Sequence, residues 1–421
     1  MISHSWQTIR ARRMIVSLCD GPFGSSLKSS DYTDEGVRVI RLQNIGNGRF
    51  RDDDSAFISD EYFADLNGHD ARPGDLLIAA LGDDNNPAGR ACVVPDHVKR
   101  ALVKADCYRA RFEPQCAHHP FIAYWMNSAA GKAELSAAAK GTTRSRINLE
   151  IIRDLEISLP SVHAQRAIAD FLDCRTAVID AFIERKERHI ALLAERRQAL
   201  ITGRIFGTVP AASSLQQILE GCPSGWRVAP LWTCFVPVKE QGFATLGLLS
   251  VYRDYGVISK DSREDNHNRA GEDLTIYQRV KPGDVVFNRM KAWQGSVAVS
   301  DLLGIVSPDY QVLRPRSECF NKAYLHHLLR SSVYIAEYAR LSKGIRPSQW
   351  RLMYEELRTL PLLIPPIGVQ AQIAADISTT LDAGARMASL VGKEIDRLYE
   401  YRQALITAAV TGQLDIGGSS P

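Results

Sequence analysis

The sequence predicts an α+β protein in which two α/β domains are separated by two long helices that pair with each other, giving a pseudo-two-fold internal repeat. Three observations predict it. First, ERRQALIT at residues 195–202 returns as EYRQALIT at residues 400–407, a shift of 205 positions. At that shift Leu159-Pro160 meets Ile364-Pro365, Gln165 meets Gln370 and Gly207 meets Gly412, with no gap over about fifty residues. Second, both copies carry the same apolar stripe at steps of four and three, the seam of a coiled coil. Third, each copy follows a globular segment of about 160 residues that reuses the same landmarks in the same order.

Residues 1–158 form the first domain. Trp6 opens it, and GPFGSSLK (Gly21 to Lys28) makes a glycine-rich turn. VRVIRLQNI (Val37 to Ile45) alternates apolar with basic or polar residues, the pattern of a half-buried strand with Arg38, Arg41, Gln43 and Asn44 on or near its exposed side. The acidic run Asp52 to Asp54 reads as a solvated loop. RPGDLLIAAL (Arg72 to Leu81) is a turn leading into a buried strand, and GRACVV and CYRARF read as further strands. From about Phe121 to Ala139 the pattern is helical, ending in KGTTRSRINLE.

Residues 159–207 are the first helical spacer, entered through a proline and uninterrupted by another. Its seam is Leu172, Thr176, Ile179, Ile183, Lys186, Ile190, Leu193, Arg197 and Leu200. Residues 208–225, low in pattern and rich in small residues, form a linker. The second domain spans 226–363: Trp226 takes the place of Trp6, VKPGDVVFNRM matches RPGDLLIAAL, and GSVAVS matches GRACVV. A helix from about Asn321 to Leu341 ends in SKGIRPSQW, the counterpart of AKGTTRSRIN. The second helical spacer, 364–415, carries the seam Ile377, Leu381, Gly384, Ala388, Val391, Ile395, Leu398, Arg402 and Leu405, and 416–421 is a flexible tail. About forty residues per helix make a rod of about 60 Å. A lone helix with one oily stripe needs a partner, and the other copy is the nearest one. The helices repeat closely while the domains keep a frame and change its contents, so function belongs where the copies diverge.

With 51 basic and 48 acidic residues the net charge is only +3, so any nucleic-acid contact has to come from local patches. Eight scattered cysteines without a C-x-x-C pair indicate reduced thiols in a cytoplasmic protein. Cys107, Cys116, His118 and His119 cluster, but at spacings that fit no standard zinc set. The opening MISHSWQTIRARRM lacks the apolar core of a signal peptide, and no run approaches eighteen apolar residues, so no membrane association is expected.

Catalytic motifs are missing. GPFGSSLKS lacks the Gly-Lys pair of a phosphate-binding loop, and Gly131-Lys132 has Met126 where the first glycine belongs. Neither Asn86-Pro87-Ala88 nor Ser307-Pro308-Asp309-Tyr310 supplies an amino-methyltransferase pocket, and Pro308-Asp309 has no acidic-x-lysine partner to hold a nuclease metal. Binding chemistry is present instead. Lys140, Thr142, Thr143, Arg144, Ser145 and Arg146 combine cations and hydroxyls in a glycine-opened loop, and Lys343, Arg346, Ser348, Gln349 and Trp350 stand at the matching place. Arg289, Lys291, Trp293 and Gln294 follow a strand, and Tyr252, Arg253 and Tyr255 lie in another exposed stretch. Such groups hold phosphates or reach base edges, although basic loops are also commonly only solvated.

The order and duplication of GPFGSSLK with VIRLQNI, KPGDVVFNRM with IVSPDYQVLRP, LPSVHAQRAIADFLD with IPPIGVQAQIAADIS, and the repeated RQALIT resemble the specificity subunits of type I restriction-modification systems, essentially over the whole length. The resemblance implies two target-recognition domains alternating with two helical regions that pair antiparallel as a ruler between the halves of a bipartite double-stranded DNA site. It implies docking of two methyltransferase subunits and, through them, restriction subunits, in a system of phage defence. S-adenosylmethionine, ATP and Mg are then expected on those partners, with no cofactor on this chain. The DNA-contact set expected here is Arg38, Arg41, Gln43, Lys140, Thr142, Thr143, Arg144, Arg146, Tyr252, Arg253, Arg289, Lys291, Trp293, Lys343, Arg346 and Gln349. One departure is visible: many members carry Glu before the glutamine after the proline turn, where Ala164 and Val369 stand here. Arg197 and Arg402, on the seam, have two readings: snorkelling side chains that pair with an acid at the coil's end, or contacts to a methyltransferase subunit.

Overall fold

The computed structural model describes residues 6–23, 26–66, 68–83, 86–139, 145–207, 214–253, 255–262, 271, 273–346 and 349–416. Packing divides the chain into two compact units, Met1–Glu187 with Lys393–Pro421, and Arg188–Gly392. Each unit thus holds one sheet-rich domain, part of the long helix that follows it, and part of the other long helix.

In the first unit, strand Gln7–Arg10 pairs antiparallel with Glu156–Leu159 and closes the domain just before helix Val162–Phe206 begins. An antiparallel sheet runs in the order Ile15–Cys19, Cys107–Phe112, Leu76–Ala79, Ala91–Val93. A second, mixed sheet runs Phe57–Ile58, Val37–Ile40, Ala101–Val103, Asp70–Ala71. Leu76–Ala79 is buried on both faces, and its period of two shows why: Leu76 and Ile78 face the helices, while Leu77 and Ala79 face the other sheet. In the second unit Arg227–Pro230 pairs with Pro361–Ile364, and a sheet runs Phe235–Val238, Tyr310–Pro315, Val285–Asn288, Val297–Val299. There Val285 and Phe287 face the helices and Val286 the opposite side. Among the described residues no helix is long and apolar enough to cross a membrane.

Two of the expected elements are shorter than the sequence pattern suggests. The strand at Val37 stops at Ile40, and Leu42–Asn44 forms a tight helical turn. Buried Asn44 forces it: its Oδ1 accepts from Arg41 N at 2.9 Å, and its amide donates to the carbonyls of Arg51 and Asp54. The helix expected at 121–139 is two helices, His119–Asn127 and Ala129–Ala138, broken where the Ser128 hydroxyl caps the second by accepting from Gly131 N. Ser331 breaks Lys322–Leu329 from Ser332–Leu341 in the same way.

The shared landmarks are structural clamps. In RPGD and KPGD the aspartate accepts from the main chain at the turn's start (Arg72 N 2.8 Å; Lys281 N 2.9 Å) and takes a two-pronged bond from an arginine on the adjacent strand. Arg111 holds Asp75 at 2.8 and 2.8 Å, and Arg314 holds Asp284 at 3.0 and 2.9 Å. The two glutamines repeat as closely. Buried Gln165 accepts from His118 N at 2.9 Å and donates to the carbonyls of Cys116 and Pro160, both at 3.0 Å. Gln370 accepts from Asn321 N at 2.8 Å and donates to Cys319 at 3.0 Å and Pro365 at 2.8 Å. Each glutamine fastens the first turn of a long helix to its own domain.

The long helices, Val162–Phe206 and Ile367–Val410, contain 45 and 44 residues. In the first unit Asp180 meets Arg402 (2.8 Å) and Lys186 meets Glu394 (2.5 Å), so one number rises as the other falls and the segments run antiparallel. In the second, Arg204 meets Asp376 at 3.4 Å. Ile179, Ile183, Ile377, Val391 and Ile395 are buried; Ile190, Leu193, Leu381, Leu398 and Leu405 are half-buried. Two positions, Leu200 and Leu405, depart from the expected seam. Leu172 and Thr176 also meet the first domain: Leu172 lies in one buried cluster with that domain's helices and with Ile406, Ala409 and Val410 of the other long helix, and Thr176 Oγ1 lies 3.2 Å from Tyr124 Oη. Leu200 is 37% exposed, its place taken by buried Ile201 and Ile205. A straight helix turns once per 3.6 residues, so a strict 3.5 repeat drifts off the buried face. Ile201 lies eighteen residues, five full turns, beyond Ile183. Ile406 and Val410 replace Leu405 by the same arithmetic, packing with Ile168 and Ala169 in the first domain's core. Gly412 needs its left-handed φ of 76° and its missing side chain, since a Cβ there would lie 2.9 Å from the Trp6 ring.

Candidate nucleic-acid interface

In the first unit the expected contact residues that the structure describes, Arg38, Arg41, Gln43 and Arg146, already have partners. Arg38 is only 11% exposed in its side chain; its guanidinium donates to Ser55 Oγ at 2.7 Å, to the Asp54 carbonyl at 2.9 Å and to Asp52 at 3.2 Å, and lies over the Phe57 ring. Arg41 and the Gln43 amide both donate to the Asp54 carboxylate. The acidic run Asp52 to Asp54 is therefore not merely a solvated loop: Asp52 and Asp54 are counter-charges for the cations beside them, because the turn at Asn44 folds the two stretches together. Arg146 pairs with Asp106 at 2.5 Å. Lys140, Thr142, Thr143 and Arg144 lie outside the described residues.

The second unit gathers its expected residues at one end of the sheet. The chain leaves strand Val285–Asn288 into the stretch holding Arg289, Lys291 and Trp293. Trp293 packs edge-on against Trp350 with ring centres 5.4 Å apart, and Leu352 N donates to the Arg289 carbonyl at 2.9 Å, which brings the 343–350 stretch alongside. Arg289 is half-buried and donates to Gln311 Oε1 at 3.0 Å. Lys343 pairs with Glu356 at 2.5 Å. Arg346 and Gln349 are exposed, joined by a main-chain bond from Gln349 N to the Arg346 carbonyl. Tyr252 is half-buried at the end of its strand and Arg253 is exposed; the Arg330 guanidinium gathers the carbonyls of Tyr252, Arg253 and Val297. Burial pushes the neighbouring His326 and His327 down to about 3 and about 4, so both are neutral near pH 7.

A cavity of about 620 Å³ opens beside this group, lined by Ser250, Lys260, Tyr277, Asn288, Lys291 and Asp309 among others. Of these only Lys291 belongs to the contact set read from the sequence. Lys260, Asn288 and Asp309 escaped it, though one signal was available: aligning RPGDLLIAAL with VKPGDVVFNRM sets Ala79-Ala80 against Asn288-Arg289.

Known proteins of similar sequence and fold bear on this arrangement. Residues 26–191 match the type I restriction modification DNA specificity domain. The StySPI specificity subunit of Salmonella potsdam is 23% identical over 406 residues, covering 90% of this chain and 83% of the relative. The EcoBI specificity subunit of Escherichia coli is 21% identical over 420 residues, covering 93% and 83%. In sequence the chain is thus similar to type I specificity subunits over nearly its whole length. Two solved chains share the fold of this chain at 16% identity. One, from a type I restriction-modification assembly, has a TM-score of 0.64 and is covered to 98%; the other, the HsdS subunit of Thermoanaerobacter tengcongensis, has a TM-score of 0.51 and is covered to 97%, each over 97% of this chain. The specificity-domain match begins at residue 26 and ends at residue 191, inside the first long helix, so it takes in most of the first domain and part of the helix clamped to it.

Proposed function

We propose that this chain reads DNA sequence for a type I restriction-modification assembly and performs no catalysis itself. The observation that carries the reading is the duplicated plan: two sheet domains with the same clamps and different loop chemistry, each fastened by a buried glutamine to a long helix that has an antiparallel partner segment. Each domain would read one half of a bipartite double-stranded site, with good base contacts worth about 1–3 kcal/mol apiece. Linking two weak readers makes the second contact effectively intramolecular, so affinity rises without new chemistry. The paired helices would set the unread gap and dock two methyltransferase subunits, which bring the restriction subunits. Methyl transfer from S-adenosylmethionine and ATP- and Mg-dependent cleavage belong to those partners.

Mapping methylated adenines in cells that express the chain with its methyltransferase partner tests this. The expected result is a two-part motif with a fixed gap that disappears when this chain is deleted. Methylation unchanged by the deletion, or a motif without a gap, would overturn it.

A further inference from the structure

We propose that the cavity of the second unit is its base-reading surface, that Asp309 is the specificity-determining residue there, and that it selects a base bearing an exocyclic amine, cytosine first. Lys260 and Lys291 hold the flanking phosphates. The inference rests on the DNA-reading function proposed above and assigns its chemistry within one half.

The two domains can be superimposed in register through their aspartate–arginine clamps, Asp75 with Arg111 and Asp284 with Arg314. In that register Asn288, Arg289 and Tyr310 stand where the first unit has Ala79, Ala80 and Cys107, all three fully buried. A position that is closed apolar core in one copy is an open polar cavity in the other. Its floor is built from Ser250, Asn288 and Tyr310, and Asn288 Oδ1 accepts from Met290 N at 3.1 Å. Side chains held this way define a geometry before any ligand arrives.

Asp309 corresponds to Asp106, whose carboxylate is neutralised by Arg146 at 2.5 Å. Gln349 stands in the place of that arginine, and the exposed Asp309 carboxylate makes no ion pair among the described residues. An uncompensated carboxylate beside a polyanion is repelled unless it meets a donor. In the major groove guanine presents only the acceptors N7 and O6 and thymine the acceptor O4, whereas cytosine and adenine present an amine. Cytosine's own edge carries the donor without an adjacent acceptor, so a carboxylate fits it best. Lys260 and Lys291 line the same cavity and also make no ion pair among the described residues, so their charge is available to phosphates.

The test uses the full chain and a pool of randomised duplex DNA, sequencing what is retained across a salt series. The wild type should retain a two-part motif. Asp309→Asn, with an unchanged melting temperature, should lose selection about five- to a hundredfold at one cytosine or adenine of one half-site and leave the other half intact. Lys260→Ala and Lys291→Ala should keep the motif, weaken binding to all sequences and lower the salt slope by about one each. An Asp309→Asn motif identical to a two-part wild-type motif would overturn the assignment while sparing the DNA-reading function. Lysine variants that change the motif, or saturable uptake of a free nucleotide that blocks duplex binding, would overturn it as well. A wild-type chain that retains no motif would overturn both.

Discussion

Asp309 differs from its counterpart Asp106 in having no ion-pair partner among the described residues. Gln165 and Gln370 show what a buried polar group does when every bond is made. Gln165→Leu would keep the volume and leave one main-chain N–H and two carbonyls without their partner, each worth about 1–3 kcal/mol when buried. A loss of about 2–4 kcal/mol in urea unfolding is expected, with Gln370→Leu giving a similar loss. Glu240 carries a pH prediction. Hydrogen bonds from Arg314 and then Arg279 hold its carboxyl down at about 2, against an ordinary 4.5. The folded state therefore prefers the ionised form, so the stabilisation is complete above pH 4.5 and is lost as pH falls towards 2. Melting temperatures measured from pH 5 to pH 2 should fall less steeply for Glu240→Gln than for the wild type.

The two long helices share a seam but not its polar locks. Arg402 donates to both oxygens of Asp180, at 2.8 and 3.3 Å, and Arg49 reaches the same carboxylate at 3.0 Å. At the repeat's shift Asp180 becomes Ala385, Lys186 becomes Val391 and Glu394 becomes His189. Arg197, the counterpart of Arg402, is exposed and makes no ion pair or hydrogen bond among the described residues. Of the two readings of this arginine pair, the acid-paired one describes Arg402. Arg402→Leu should lower stability by about 1–2 kcal/mol, because a partly buried aspartate loses two charge-assisted bonds. Arg197→Leu should change stability by less than about 0.5 kcal/mol. Parallel denaturant titrations of the two variants make the comparison.

For the molecule as a DNA reader, helix length should be a dial. Removing seven residues at matched places in both long helices shortens each by roughly 10.5 Å. That is about three base pairs at 3.4 Å each. Site selection with this variant should give the wild-type half-sites with a gap shorter by about three base pairs; an unchanged gap would remove the helices from the role of spacer.

The sequence by itself determined the repeat, the helices and the matching turns, since a shift of 205 positions, a regular apolar period and Pro-Gly-Asp turns are all local signals. Only the tertiary structure decided which cations have partners. Arg38 and Arg41 find their carboxylates fourteen and thirteen residues away, across a turn set by one buried asparagine, and Arg146 finds Asp106 forty residues away. Coulomb attraction depends on distance in space, which chain separation does not report. The same reason hid Asp309 and Lys260, which are 49 residues apart in the chain and line one cavity. The seam shows the boundary between the two sources. Its existence follows from the apolar period, while its drift from Leu200 to Ile201 follows from the 3.6-residue turn of the helix, which sets Ile201 and Ile205 into the second domain's core.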